Sequence, residues 1–208
     1  MASGRYTVSS AARIIGITGG IGCGKSEVGR MVQAEGWMVR DADDMVHELL
    51  GPGQPLLAQV VQRFGPAYVQ EDGTLNRAGL AAHVFGCPHA LKDLNRMVHP
   101  VVLERVRQWV RLRRENGDNA AVIIPLLHET GITGLWDAVI CVCASAETAG
   151  GRLHARGWTD QDIEQRRRSQ WPLAEKMKRS DYVIYNDGTL ADLAQETRKV
   201  LNRILEKE

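Results

Sequence analysis

The sequence predicts an α/β fold, a five-stranded parallel sheet held between layers of helices. Three observations predict it. Residues Gly19 to Ser26 read G-G-I-G-C-G-K-S, a full G-x-x-x-x-G-K-[ST] phosphate-binding loop set between an apolar run and a helical pattern. Further short apolar runs alternate with amphipathic stretches, as in strands joined by right-handed crossovers. The last helical stretch carries Leu190, Leu193, Thr197, Val200, Leu201, Ile204 and Leu205, a stripe that packs a core.

In chain order, Arg13 to Thr18 is β-branched and apolar, a buried first strand. Val28, Met31 and Val32 place a helix over Glu27 to Glu35, and Gly36 suits its C′ position. Trp37 to Arg40 is the second strand, followed by Asp41-Ala42-Asp43-Asp44 and a helix over Met45 to Leu50 that Gly51-Pro52-Gly53 stops. Leu56, Leu57, Val60, Val61 and Phe64 mark the next helix, and Asn76 caps another through Phe85. Leu91, Leu94, Met97 and Val98 keep the helical spacing to His99, where Pro100 opens a new helix ending near Asn116-Gly117. Ala120–Leu126, Asp137–Cys143 and Asp181–Tyr185 are the remaining strands. The helical block over 45–116 is longer than a usual crossover, and reads as a substrate-binding insertion or a structural cap.

At 208 residues and 44% hydrophobic, the chain can bury one core. A net charge of +1 supplies no general attraction to nucleic acid or a membrane surface, so an anionic ligand must be caught locally. No apolar run approaches a membrane span. Residues 1–12 are small and polar, without the apolar core of a signal peptide, and read as a mobile tail. None of the four cysteines forms a C-x-x-C pair, which fits a reducing cytoplasm. Cys141 and Cys143 share one face of a strand as core residues. Cys23 reads as a small filler in the loop, although the helix end beside it would favour a lowered pKa.

The loop dictates the chemistry sought elsewhere. Its glycines, Gly20, Gly22 and Gly24, let backbone N–H groups turn around a polyphosphate, together with Ile21 and Cys23. Lys25 reaches the β- and γ-phosphates, and the Ser26 hydroxyl ligates Mg²⁺. Ligands of parallel sheets gather at the carboxyl ends of strands, where Asp41 and Asp43 follow the second strand. Phosphoryl transfer to an alcohol needs a carboxylate to take its proton. One of the two acids is that base; the other holds a hydroxyl or a water of the metal shell. Asp44 reads as a helix cap. Arg152 and Arg156, spaced i, i+4, share a helix face, and Arg166, Arg167 and Arg168 follow a Thr159-x-x-Asp162 capping box. Such cations can close over a transferring phosphoryl group, while at least one of the three consecutive arginines is a solvated face.

These residues resemble dephospho-CoA kinases from Ile14 to about Leu201. The shared parts are I-T-G-G-I-G-C-G-K-S (17–26), D-A-D (41–43), P-G-Q-P-L-L (52–57), D-G-T-L-N-R (72–77), L-N-R-M-V-H-P (94–100), P-L-L-H-E (125–129) and R-L-H-A-R (152–156), then Gln170, Lys176, Asp181 and Asn186-Asp187-Gly188. The resemblance implies a P-loop kinase-like three-layer fold with a nucleotide core (13–44, 117–150 and 180–208), a helical CoA-binding part (45–116) and a lid (about 151–179). It implies transfer of a phosphoryl group from ATP, with Mg²⁺, to the 3′-hydroxyl of dephospho-CoA by a monomer or weak homo-oligomer. By motif it makes Asp43 the base, Lys25 the loop lysine and Arg152 the lid-side arginine, and places Asn186 at the adenine. Asp41, Arg77, His99 and Leu126 fall on the acceptor side, and Arg156 and Arg166 in the lid. Glu27, in the ATP-binding stretch, departs from the family's usual Ser or Thr. His128, Ala149 and Gly150-Gly151 depart as well, the glycines weakening the start of the lid-side helix. Two other readings stay open: a different small-molecule P-loop kinase, and a nucleotide-gated binding protein.

Overall fold

A computed structural model describes residues 12–207. The tail read over 1–12 lies outside them except for Ala12. The chain divides into two compact units. One holds the described residues through Val39 together with those from Trp109 onward; the other is Arg40–Gln108.

The first unit is built on the sheet. β1 (Ile14–Gly19) is buried along its whole length and feeds the glycine loop, which opens α1 (Lys25–Ala34). Gly36 adopts φ 86, the left-handed C′ geometry expected of it. β2 (Met38–Asp41) leads into the second unit, which holds α2 (Ala42–Leu49), α3 (Pro55–Phe64), α4 (Arg77–Gly86) and most of the long helix that follows, with a 3-10 turn at Pro66–Tyr68. Asn76 caps α4 by accepting from the Gly79 N–H at 2.9 Å. α2 begins three residues before the expected Met45, because Asp41 caps it, its Oδ1 accepting from the Asp43 N–H at 2.9 Å; Asp44 is therefore a first-turn residue and not the cap.

α5 (Pro88–Asn116) overturns the break expected at His99-Pro100. A proline inside a helix forfeits one hydrogen bond and crowds the preceding turn, at about 3 kcal/mol. Val98, Val102, Val106 and Val110 are all buried at i, i+4 spacing across it. Burying such a side chain is worth about 1.5–3 kcal/mol, so the stripe outweighs the proline and the helix continues.

β3 (Ala120–Ile123) stops short of Pro125, which has no N–H for a ladder. β4 (Ala138–Cys143), α6 (Ala146–His154), α7 (Asp160–Arg168), α8 (Leu173–Lys178), β5 (Tyr182–Tyr185) and α9 (Leu190–Glu206) complete the chain. The sheet order is β2-β3-β1-β4-β5, with β1 central and parallel to both β3 and β4. The fold class is the expected one, an α/β P-loop kinase-like fold on a five-stranded parallel sheet. Ile15, Ile17, Ala121, Ile123, Ile140, Val142 and Ile184 form one core with Val28 and Val32 of α1 and Leu193, Val200, Leu201 and Ile204 of α9. Successive strand residues face opposite ways, so Gly16, Thr18, Val122, Cys141 and Cys143 point from the other face, and α8 packs on β1 and β4. α6 runs unbroken through Gly150 and Gly151, whose bare backbone lines a cavity of ≈ 510 Å³ with His154 and Asp160.

Candidate functional site

The carboxyl end of β1 turns directly into the phosphate loop. Gly24 caps α1 at φ 95 and offers no side chain to the N–H groups of the first turn. A Cβ on Gly24 would lie 2.2 Å from Asn186 Nδ2 and 3.9 Å from Arg152 Nη1, and one on Gly22 (φ 74) would lie 2.7 Å from the Ala149 carbonyl oxygen. Both positions therefore demand glycine, and together they leave an uncapped helix amino end wrapped by backbone. Lys25 Nζ folds across this loop to the carbonyl oxygens of Gly20 (2.8 Å) and Gly19 (3.2 Å). Ser26 is exposed in the first turn.

A second layer holds the loop in place. Asn186 follows β5, is 4% exposed, and donates its Nδ2 to the Cys23 carbonyl at 2.9 Å. Its backbone and side-chain oxygens both accept from Arg152 Nη2, at 3.0 and 3.2 Å. The other terminal nitrogen, Arg152 Nη1, is buried beside Gly24 with no hydrogen-bond partner. A guanidinium N–H left unpaired in a buried position is costly unless an anion completes it. An anionic oxygen beside Gly24 would complete it, and guanidinium groups suit phosphate oxygens.

Cys23 is buried, and burial raises its pKa against the opposing pull of Lys25. A lowered value does not occur; Cys23 is the filler of the loop. Burial likewise pushes Cys141 up to about 12 and Cys143 up to about 11. All four cysteines are free.

The arginines expected to close over phosphate separate by environment. Arg156 does not share a helix face with Arg152, because α6 ends at His154 and Arg156 lies exposed in the following turn. Arg166 lies over the Trp158 ring at 4.3 Å, and Arg168 pairs with Glu164 at 2.9 Å, the solvated-face role. Arg167 lines a cavity of ≈ 320 Å³ with Gly20, Ile21 and Cys23 of the loop and Trp171 and Leu173 at the start of α8.

Of the residues expected on the acceptor side, Asp43 is exposed in the first turn of α2, and Arg77 donates to the His47 carbonyl at 3.2 Å. His99 is partly buried inside α5, and burial lowers its pKa. Leu126 sits in the turn after β3. Among the described residues, no group of three or more His, Cys, Asp or Glu could hold a metal ion.

The dephospho-CoA kinase family model matches residues 13–192. The chain belongs to the dephospho-CoA kinase family. It is 39% identical over 188 residues to the dephospho-CoA kinase of Bdellovibrio bacteriovorus, covering 90% of this chain and 94% of that one. Among solved structures, TT1252 from Thermus thermophilus superposes with TM-score 0.76 at 35% identity, covering 92% of this chain and 97% of that one. The dephospho-CoA kinase of Campylobacter jejuni superposes with TM-score 0.69 at 25% identity, over 93% and 97% of the two chains.

Within this family frame, one cluster was not predicted as functional from the residues. Lys176 of α8 is fully buried, its Nζ 2.8 Å from Glu129 Oε1 and 2.7 Å from the Pro125 carbonyl. Glu129 Oε1 also accepts from the Trp171 N–H at 2.8 Å. The turn after β3 is thus tied to the chain entering α8, beside the cavity that meets the loop. His128 adds to the tie by stacking on Trp171 and bonding Ser180 at 3.1 Å. Lys176 stands among Glu175, Lys178 and Arg179, so it reads locally as one more surface charge and gives no hint of a partner 47 positions away. Removing one member of a buried ion pair strands the other, so Lys176→Met is expected to cost about 3–5 kcal/mol of stability. Urea denaturation checks this, with the Lys176→Met, Glu129→Leu double variant expected to recover part of the loss.

Proposed function

We propose that this chain transfers the γ-phosphoryl group of ATP to the ribose 3′-hydroxyl of dephospho-CoA, yielding ADP and coenzyme A in the last step of coenzyme A synthesis. The carrying observation is the buried, unpartnered Arg152 Nη1 beside the uncapped amino end of α1, in a chain of this family. The loop N–H groups and Lys25 hold the β- and γ-phosphates, and Lys25 leaves its loop carbonyls to do so. Arg152 neutralises charge that grows on the transferring group, with its second nitrogen anchored on Asn186. The Ser26 hydroxyl would hold Mg²⁺, which when bound would offset charge on the phosphates.

Asp43 takes the proton of the attacking hydroxyl as the new O–P bond forms and the bond to ADP breaks. Asp41 is committed to the α2 cap, which supports Asp43 as the base of the pair. Arg77, His99 and Leu126 serve the acceptor side, and Arg156 and Arg166 belong to the closing lid. The four free thiols suit a reducing cytoplasm. Among the described residues no helix is long and apolar enough to cross a membrane.

A panel of acceptors tests the reading. ADP formation is expected with dephospho-CoA and not with shikimate, gluconate or nucleoside monophosphates. Equal turnover on one of these others would instead favour a different small-molecule kinase.

A further inference from the structure

Glu27 sets a carboxylate one residue beyond Ser26, in the first turn of the helix that receives the phosphates. An acid there stabilises the empty helix, because the positive end of the macrodipole attracts it. Incoming phosphate uses the same positive potential. Glu27 and the nucleotide therefore compete for one field. The carboxylate does not stand alone: Glu27 Oε2 lies 2.5 Å from Arg30 Nη1, one turn further along α1. Glu27 is 28% exposed and Arg30 69% exposed, so the pair is worth little as a stabilising salt bridge. Its place, next to the phosphate-binding turn, gives it a different use. Arg30 neutralises the one acidic charge in the first turn of α1 and tethers it to the helix's own second turn.

We infer that Glu27 weakens nucleotide binding at the loop and that Arg30 is a positioning residue that limits this penalty. Together they set how tightly ATP and ADP are held. This rests on reading the loop as the ATP site. The interaction is electrostatic and partly exposed, so its size follows that of a charge at a helix end and shrinks as salt rises.

Calorimetric titration of ATP, once in EDTA and once with Mg²⁺, tests it in low salt. Glu27→Gln is expected to tighten ATP about two- to five-fold in both conditions. Arg30→Ala is expected to weaken it by a similar factor, Arg30→Lys to restore wild-type affinity, and Arg30→Ala to have no effect in the Glu27→Gln background. Unchanged affinity in Glu27→Gln overturns the inference. So does a loss confined to Mg-ATP, which would make Glu27 an aid to the metal. An equal cost of Arg30→Ala in both backgrounds overturns the role of Arg30, since it would then act on phosphate directly. A wild-type protein that binds no ATP removes the underlying reading instead, and is told apart because no titration then shows binding.

Discussion

Asp43→Asn is expected to lower kcat by about 10²–10⁴-fold while ATP affinity stays near that of the wild type. The substitution keeps size and polarity and removes only the ability to accept a proton. The local fold should not notice it. The cap of α2 uses the Asp43 backbone N–H and the Asp41 side chain, and the Asp43 side chain is exposed. An exposed substitution of this kind usually changes stability by less than about 0.5 kcal/mol. Steady-state kinetics with calorimetric ATP binding separates the roles. Loss confined to ATP affinity would place Asp43 among the nucleotide contacts and not at the acceptor hydroxyl.

Arg152→Ala is the second large effect, with kcat expected to fall by about 10²–10³-fold. One guanidinium nitrogen is held on Asn186 and the other is buried without a partner beside Gly24. On the proposed mechanism, that nitrogen meets charge that appears only during transfer. Lysine's three donors all radiate from one nitrogen, so it cannot anchor on Asn186 and also place a donor where Arg152 Nη1 stands, and Arg152→Lys should recover only a small part of the rate. A kcat unchanged in Arg152→Ala would reduce the residue to a brace for Asn186.

The parts of the fold written in local pattern were legible before the structure. The G-G-I-G-C-G-K-S loop carries its own flanks, and the five apolar runs differ from the observed strands only at their ends. Asn76 and the Thr159 box announced their caps by residue type alone, and both occur. Illegible features depend on partners far away in sequence or on competing terms. Pro100 signals a helix start locally, but the buried valine stripe outweighs it. Arg156 matches Arg152 by spacing only if α6 continues, and the chain turns after His154. The resemblance set Asn186 at the adenine, whereas its grip on the Cys23 carbonyl spans 163 positions and leaves no trace in local pattern. The Lys176–Glu129 tie is hidden in the same way. Cys23 shows the reverse case. Its place near a helix end favours a reactive thiolate, but burial is the larger effect and raises the pKa.

The most direct measurement is to incubate the protein with Mg-ATP and dephospho-CoA, separate the products, and locate the new phosphate by ³¹P NMR. ADP and a 3′-phosphorylated product should appear in equal amounts, with formation dependent on the acceptor. No acceptor-dependent ADP at saturating substrate, or phosphate at any other position, would contradict the proposed transfer.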